Sequence, residues 1–141
     1  RKGVRLSLIG RRDRFDPELI ALAEDVERVT AHGSRLHLRL AVDYSSRDAM
    51  LQAIECVQSS GVPVSRENLS AALGPDVDLL IRTSGEQRLS DFLLWECAYA
   101  EMYFTRRYWP DFSGLDLALA VQEFRGRDRR FGALSAAPPA A

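Results

Sequence analysis

Two arginines and a serine are the residues of this sequence best suited to bind an anion. Arg82 directly follows an apolar run at 77–81, and Arg88 and Ser90 come soon after it. A guanidinium group stays ionised and donates paired, charge-assisted hydrogen bonds to phosphate or carboxylate oxygens. Because a serine hydroxyl adds a third donor, these residues together predict a site for a diphosphate.

Nearby carboxylates offer a second explanation, in which Arg82 and Arg88 belong to a surface ion-pair network. The carboxylates in question are those of Glu86, Asp91 and Glu96. Exposed networks of this kind are common and contribute little to stability. The residue types alone weigh the two explanations equally.

The elements that position these residues follow from hydrophobic patterns. Strands are predicted at 4–9, 36–42 and 77–81, with a short last strand at 102–105, and helices at 16–33, 45–60, 65–73, 90–99 and 113–124. Strands separated by helices indicate an α/β fold with a parallel sheet flanked by helices. Ligands of such sheets bind beyond the carboxyl ends of the strands, where Arg82 lies. A helix that begins at Ser90 would point its free N–H groups at the same ligand.

Two features indicate that this chain lacks part of a fold. The predicted sheet is thin, and the strands at 4–9 and 36–42 alternate between apolar and polar residues more than doubly covered strands do. A strand pattern also begins directly after Gly3, which is typical of the middle of a larger protein. We therefore expect a covering element to be missing. The helix at 90–99 is apolar nearly all round and is expected to be buried.

Composition limits the classes of function. The 141 residues suffice for one hydrophobic core, and a net charge of −1 gives the whole molecule no attraction to nucleic acid or anionic lipid. No run approaches the roughly 18 apolar residues of a membrane span. Cys56 and Cys97 lack metal-ligand spacing and are expected to be reduced core residues, which suits the cytoplasm. His32 and His37 are expected to be structural.

A long, ordered set of segments resembles the cis-prenyltransferases, the undecaprenyl diphosphate synthase family. The resemblance is strongest in residues 78–95 and continues through 98–104, 109–112 and 129–132, with shorter matches at 8–10 and 43–47. It covers nearly the whole chain. It implies an undecaprenyl diphosphate synthase-like fold, with residues 1–132 forming the C-terminal portion of one domain. The Ala/Pro composition of residues 133–141 predicts a disordered tail.

The resemblance assigns roles to residues of the loop that follows the strand at 77–81. We call this segment, which contains Arg82, Arg88 and Ser90, the arginine loop. Arg82, Arg88 and Ser90 would hold the diphosphate of isopentenyl diphosphate, and Glu86 would orient the arginines and stabilise the loop. The reaction implied condenses isopentenyl diphosphate onto an allylic diphosphate such as farnesyl diphosphate, which gives a polyprenyl diphosphate. Its lipid product implies a peripheral contact with membranes.

Other matching residues are assigned to Mg²⁺ and to a dimer. Glu101 is the candidate metal ligand and catalytic carboxylate, near the subunit contact. Arg130 and Gly132 match an Arg-x-Gly motif that reaches the active site across a homodimer interface. Arg47 belongs to a family motif, with a fold-stabilising role at least as well supported as a catalytic one. For Trp95, Tyr99 and Phe104 we favour a plain core role.

The sequence also departs from the family pattern. Cis-prenyltransferases begin with an Asp-Gly-Asn-Gly-Arg-type loop, whose aspartate carries Mg²⁺, and neither this loop nor the Ser-x-x-Asn-x-x-Arg segment that follows it occurs here. We therefore expect the chain to hold the isopentenyl diphosphate site, to lack the main catalytic aspartate and to be inactive alone. A non-catalytic accessory subunit is the alternative, although such subunits lose the substrate loop that is intact here. An unrelated phosphate-binding α/β domain would require the long match to be accidental.

Overall fold

The structure is a computed structural model that describes residues 3–128. Its elements are β1 (Val4–Ile9), α1 (Pro17–Thr30), β2 (Leu36–Ala41), α2 (Ser46–Ser59), α3 (Arg66–Leu73), β3 (Leu79–Arg82), β4 (Glu101–Phe104) and α4 (Gly114–Arg125), with a 3₁₀ turn at Trp109–Asp111. The predicted α/β class is confirmed. No helix in this part of the chain is long and apolar enough to cross a membrane.

Serine side chains begin three of the four helices at the predicted positions. Ser45 accepts a hydrogen bond of 3.2 Å from the Asp48 N–H at the start of α2, and Ser65 accepts one of 3.2 Å from Asn68 at the start of α3. Ser113 begins α4 with a reciprocal capping box. These caps depend on residues within one turn, which is why the sequence alone predicts them.

The strands form two separate two-stranded parallel sheets, where the sequence predicted one sheet. In the first, β1 pairs with β2 from Val4↔Leu36 to Ile9↔Ala41. In the second, β3 pairs with β4 from Leu79↔Glu101 to Arg82↔Phe104. A cavity of about 350 Å³ lies beside the first sheet, and residues from the neighbourhood of the second also line it, among them Leu73 and Glu96.

The outer edge of β1 is closed by side chains of α1. Thr30 Oγ1 accepts the Leu6 N–H at 3.1 Å and Glu27 Oε1 accepts the Leu8 N–H at 2.8 Å, so these two amides, which point away from β2, are satisfied. Arg12 holds Glu27 in an ion pair of 2.6 Å. This hydrogen bond to Arg12, together with the one from Leu8, lowers the pKa of Glu27. A covered edge cannot recruit another strand.

One face of β2 is uncovered in this chain. Leu36, Leu38 and Leu40 alternate along the strand and are 58%, 40% and 41% exposed. The second edge of β2 pairs with no strand among the described residues. Both observations support the expectation that the first sheet lacks a covering element.

The prediction of a helix at 90–99 is wrong. The segment is a series of turns, and Ser90, Asp91 and Leu93 all have positive φ, which a right-handed helix cannot contain. Its polar groups bond instead to the start of α2. The Asp91 carbonyl accepts the Ser46 N–H at 2.9 Å, and the Leu94 N–H donates to Ser46 Oγ at 2.9 Å. These long-range bonds replace the intrahelical ones that the sequence pattern implied.

Of the two cysteines, only Cys97 is in the core. Cys97 is buried, whereas Cys56 is exposed, so the expectation for Cys56 was wrong. Burial, followed by the neighbouring charge of Glu96, raises the pKa of the Cys97 thiol. Glu96 itself is only 2% exposed, and its Oε2 has no hydrogen-bond partner among the described residues.

Candidate anion-binding site

The candidate site lies at the carboxyl end of β3. Arg82 is the last residue of this strand, and the chain then loops back so that Arg88 lies beside it. The two arginines border a cavity of about 210 Å³, whose lining residues are Leu80, Ile81, Arg82, Thr83, Arg88, Leu89 and Phe92. The cavity thus has an apolar floor and two cations at its rim.

The tip of the loop is fastened to the chain that follows β4. The Ser84 N–H donates to the Arg107 carbonyl at 2.7 Å, and the Gly85 N–H donates to the Thr105 carbonyl at 2.8 Å. These amides are therefore already bonded and do not form a backbone cradle for an anion. The arginine side chains are the cationic groups that remain for an anion at this cavity.

Each arginine already has a partner within the loop. The Arg82 guanidinium donates to the Arg88 carbonyl, and Arg88 forms an ion pair with Glu86. The predicted surface network is thus present in part. Asp91 pairs with a different arginine, and the buried Glu96 with none in the described chain. Arg88 is 65% exposed and Glu86 38%, so both side chains reach solvent.

Asp91, the residue after Ser90, connects the loop to α2. The Asp91 carboxylate accepts a hydrogen bond of 2.7 Å from Ser45 Oγ and one of 3.3 Å from the Arg47 N–H. The Ser90 hydroxyl has no partner in residues 3–128, and Ser90 is absent from the lining of the cavity. The structure therefore brings Arg82 and Arg88 together and places Ser90 just outside them.

Arg47 contributes to this connection mainly through its backbone. Its side chain is 83% exposed and only 4.0 Å from Asp91, the limit of an ion pair. Its N–H lies in the first turn of α2, where unpaired amides attract a carboxylate. The arrangement supports the fold-stabilising role for Arg47.

Arg106 and Arg107 are cations near the site that the sequence reasoning missed. Both follow β4, whose carboxyl end is adjacent to that of β3. Arg107 pairs with Asp116 at 2.7 Å, whereas the side chain of Arg106 lies alongside Gly85 of the loop. The signal was available, because residues that follow neighbouring parallel strands meet at one edge of a sheet.

Glu101 lies at the opposite end of the β3–β4 pair from Arg82. It aligns with Leu79, three residues before Arg82, which corresponds to roughly 10 Å along the strand. Its Oε2 accepts a hydrogen bond of 2.9 Å from Arg127, which raises the pKa of that guanidinium. Residues 3–128 contain no group of three or more potential metal ligands. The described residues therefore do not fit a Mg²⁺ site by themselves.

The remaining predicted residues have mixed outcomes. Arg130 and Gly132 lie outside the described residues. Trp95 is half-buried and donates from Nε1 to Ser70 Oγ at 2.9 Å, but Tyr99 is 61% exposed, so the core role was wrong for Tyr99.

Comparisons with known proteins decide the family. Residues 1–132 match the family described as putative undecaprenyl diphosphate synthase. The chain belongs to this family. Isoprenyl transferase 1 of Bradyrhizobium diazoefficiens is 53% identical over 144 residues, which cover 99% of this chain and 58% of that protein. Isoprenyl transferase of Aquifex pyrophilus is 44% identical, with 92% of this chain and 58% of that protein covered. Because these relatives are named isoprenyl transferases, the family is one of enzymes.

Two solved structures have the same fold. A probable undecaprenyl diphosphate synthase from Campylobacter jejuni superposes with a TM-score of 0.87 at 36% identity, over 92% of this chain and 64% of that one. Lavandulyl diphosphate synthase from Lavandula x intermedia, in complex with dimethylallyl diphosphate, gives a TM-score of 0.83 at 32% identity, over 92% and 60%. The undecaprenyl diphosphate synthase-like fold is thereby confirmed, and this chain spans about three-fifths of these relatives.

Proposed function

We propose that this chain carries the isopentenyl diphosphate site of a cis-prenyl transfer reaction. The observation that supports this most is the pair of arginines at the rim of the cavity where β3 ends, in a member of a prenyl-transferring family. Arg82 and Arg88 bind the diphosphate through charge-assisted hydrogen bonds. The apolar floor beneath them accepts the isoprenoid carbon chain.

The backbone of the loop supports a functional role. Ser84, Ser90, Asp91 and Leu93 all have positive φ, which side chains disfavour, whereas the positive φ of Gly85 is one that glycine adopts freely. Strained backbone of this kind persists where the surrounding structure enforces it, and it concentrates at ligand-binding sites. Here the bonds to the chain after β4 and to α2 hold the strain. They fix the loop before ligand binds, which lowers the entropy cost of binding.

Ser90 completes the proposed set of donors. Its hydroxyl is free within the described chain, and Asp91 beside it is tied to α2. We propose that this hydroxyl donates to a diphosphate held by Arg88. Because Glu86 already contacts Arg88, a diphosphate bound to Arg88 would lie close to this carboxylate.

The whole reaction requires a second substrate and further residues. We propose an allylic diphosphate such as farnesyl diphosphate as the prenyl donor, which loses its diphosphate while the double bond of isopentenyl diphosphate, the acceptor, forms the new carbon–carbon bond. The lavender relative is described in complex with dimethylallyl diphosphate. The main catalytic aspartate that the family pattern supplies is absent from this sequence. A dependence on Mg²⁺, with Glu101 as a ligand, stays a prediction. So do a homodimer completed through Arg130 and Gly132 and a peripheral membrane contact through the lipid product.

Calorimetric titration of the chain with inorganic diphosphate tests the site. Arg82→Ala and Arg88→Ala should each weaken binding by about 1.5–3 kcal/mol, roughly 10- to 150-fold, because each removes a charge-assisted contact. Arg28→Ala is the matched control, since Arg28 is an exposed arginine in a local ion pair on α1. Unchanged affinity in both site variants would exclude the proposed site and favour an accessory subunit.

The same purified chain tests the proposal that it does not complete the transfer alone. Incubation with radiolabelled isopentenyl diphosphate, farnesyl diphosphate and Mg²⁺ should give no labelled lipid. A labelled polyprenyl product would show that the described residues contain more of the catalytic machinery than we propose.

A further inference from the structure

Arg88, one of the two cations that we propose for a diphosphate, is already paired with Glu86. Glu86 lies two residues before Arg88 in the same loop, and its carboxylate contacts the Arg88 guanidinium directly. Arg82 is bonded to a neutral carbonyl instead. One of the two cations is therefore neutralised by the protein itself before any ligand arrives.

The exposure of this pair makes it easy to exchange. Arg88 is 65% exposed and Glu86 38%, and exposed ion pairs contribute little net stability because water and salt compete with them. A Glu86 carboxylate released from Arg88 is hydrated at once and leaves no buried charge. Arg127 is a contrast, since it binds Glu101, Glu123 and the Met102 carbonyl together and is only 33% exposed.

We propose that Glu86 is a displaceable counter-ion of Arg88, which a diphosphate replaces when it binds. This inference rests on the proposed function of the site. A diphosphate has more charge and more acceptor oxygens than one carboxylate, so it can form the paired hydrogen bonds that a guanidinium favours. Release of Glu86 from Arg88 costs the same free energy for any anion that replaces it, so Glu86 lowers the affinity of the site for anions in general.

This proposal and a role in which Glu86 orients the arginines predict opposite effects of removing Glu86 on diphosphate binding. If Glu86 orients Arg88 for the ligand, its removal weakens diphosphate binding. If Glu86 competes with the ligand, its removal strengthens binding. Glu86→Gln keeps the shape of the side chain and removes the charge, so it separates the two roles.

The experiment is calorimetric titration of the full 141-residue chain at low ionic strength, first with inorganic diphosphate and then with inorganic phosphate. Glu86→Gln should bind diphosphate up to about fivefold more tightly than the wild type, the factor that an exposed ion pair contributes. Its affinity for inorganic phosphate should rise by a similar factor, because either anion has to displace the same carboxylate. The gain should disappear in the Glu86→Gln/Arg88→Ala double variant, because the carboxylate then has no guanidinium to release.

The control is Asp25→Asn, which removes the carboxylate of a similar local pair with Arg28 on α1 and should leave both affinities unchanged. Glu86→Ala provides the same comparison if the glutamine variant does not fold. Weaker or unchanged diphosphate binding by the Glu86 variants, with a loss on Arg88→Ala, overturns the counter-ion role alone. If neither the wild type nor any variant binds diphosphate, the proposed diphosphate site is overturned as well.

Discussion

At the scale of single residues, three carboxylates near the arginine loop differ in their partners. Glu86 pairs with Arg88, and Asp91 is bonded to the start of α2. Glu96 is almost completely buried, and one of its oxygens lacks a hydrogen bond within residues 3–128. All three stand within one short stretch of sequence, so their different environments come from the path of the chain around them.

Glu96→Gln should stabilise this chain. A buried carboxylate without a full set of partners costs free energy, and a neutral amide of the same shape lowers that cost. We expect the free energy of unfolding to rise by about 1 kcal/mol, measured by urea denaturation. Glu55→Gln, an exposed position on α2, is the control and should have little effect. A destabilised Glu96→Gln variant would mean that a group outside the described residues donates to Glu96.

At the scale of elements, α1 closes the edge of β1 through Glu27, Thr30 and Arg12. Glu27 binds a strand amide and an arginine at once, so a single side chain connects α1, β1 and the loop after β1. Edge strands need such protection because their free amides can pair with another chain. The first sheet therefore has one closed edge, at β1, and one open edge, at β2.

Glu27→Gln should destabilise the chain by about 1 kcal/mol at neutral pH, because the ion pair is lost while the strand amide keeps an acceptor. The pKa of Glu27 is lowered from 4.5 in the folded state, so its contribution is present above that pH. It is lost as the pH falls through the lowered value, where the carboxylate takes up a proton. Urea unfolding of both proteins across this range should show the difference shrinking in acid.

Two observations check this assignment. Asp13→Asn should change the unfolding free energy little, although Arg11 lowers the pKa of Asp13 to about 2, because this pair is on the surface. A stability difference between wild type and Glu27→Gln that stays constant into acid would contradict the proposed pairing.

At the scale of the whole molecule, the two two-stranded sheets leave apolar side chains exposed to solvent. The exposed leucines of β2 lie beside its unpaired edge, and the cavity of about 350 Å³ lies beside the same sheet. Apolar side chains beside an open strand edge promote association between copies. The proposed homodimer and non-specific association would both be measured as self-association of the chain.

Leu38→Lys should reduce self-association of the chain. A lysine in the middle of an edge strand opposes pairing with another strand. Sedimentation velocity should show association at micromolar concentration in the wild type and a shift towards monomer in the variant, with diphosphate affinity unchanged. Leu115→Lys is the control, since Leu115 is 71% exposed but lies on α4. A wild-type chain that is monomeric at these concentrations would contradict the prediction.

The sequence by itself determined the features that depend on short-range chemistry. Ser45, Ser65 and Ser113 cap helices because each bonds to an amide three residues ahead. The alternation of strands and helices predicted the parallel α/β fold. Arg82 was placed correctly at the end of a strand, because the apolar run before it could only be buried. The family resemblance, given by the order of many such segments, was confirmed over residues 1–132.

Only the tertiary structure decided which partner each group selects. Residues 90–99 have a helical pattern, but Ser46 and Asp91 bond to each other across the fold and impose turns instead. The resemblance did not say which residue of β3 lies opposite Glu101, and the register aligns it with Leu79, about 10 Å along the strand from Arg82. Glu86, Asp91 and Glu96 were equivalent candidates for the arginines, and one pairs with Arg88 while another is buried. Such choices are competitions between groups distant in sequence, which local patterns do not contain.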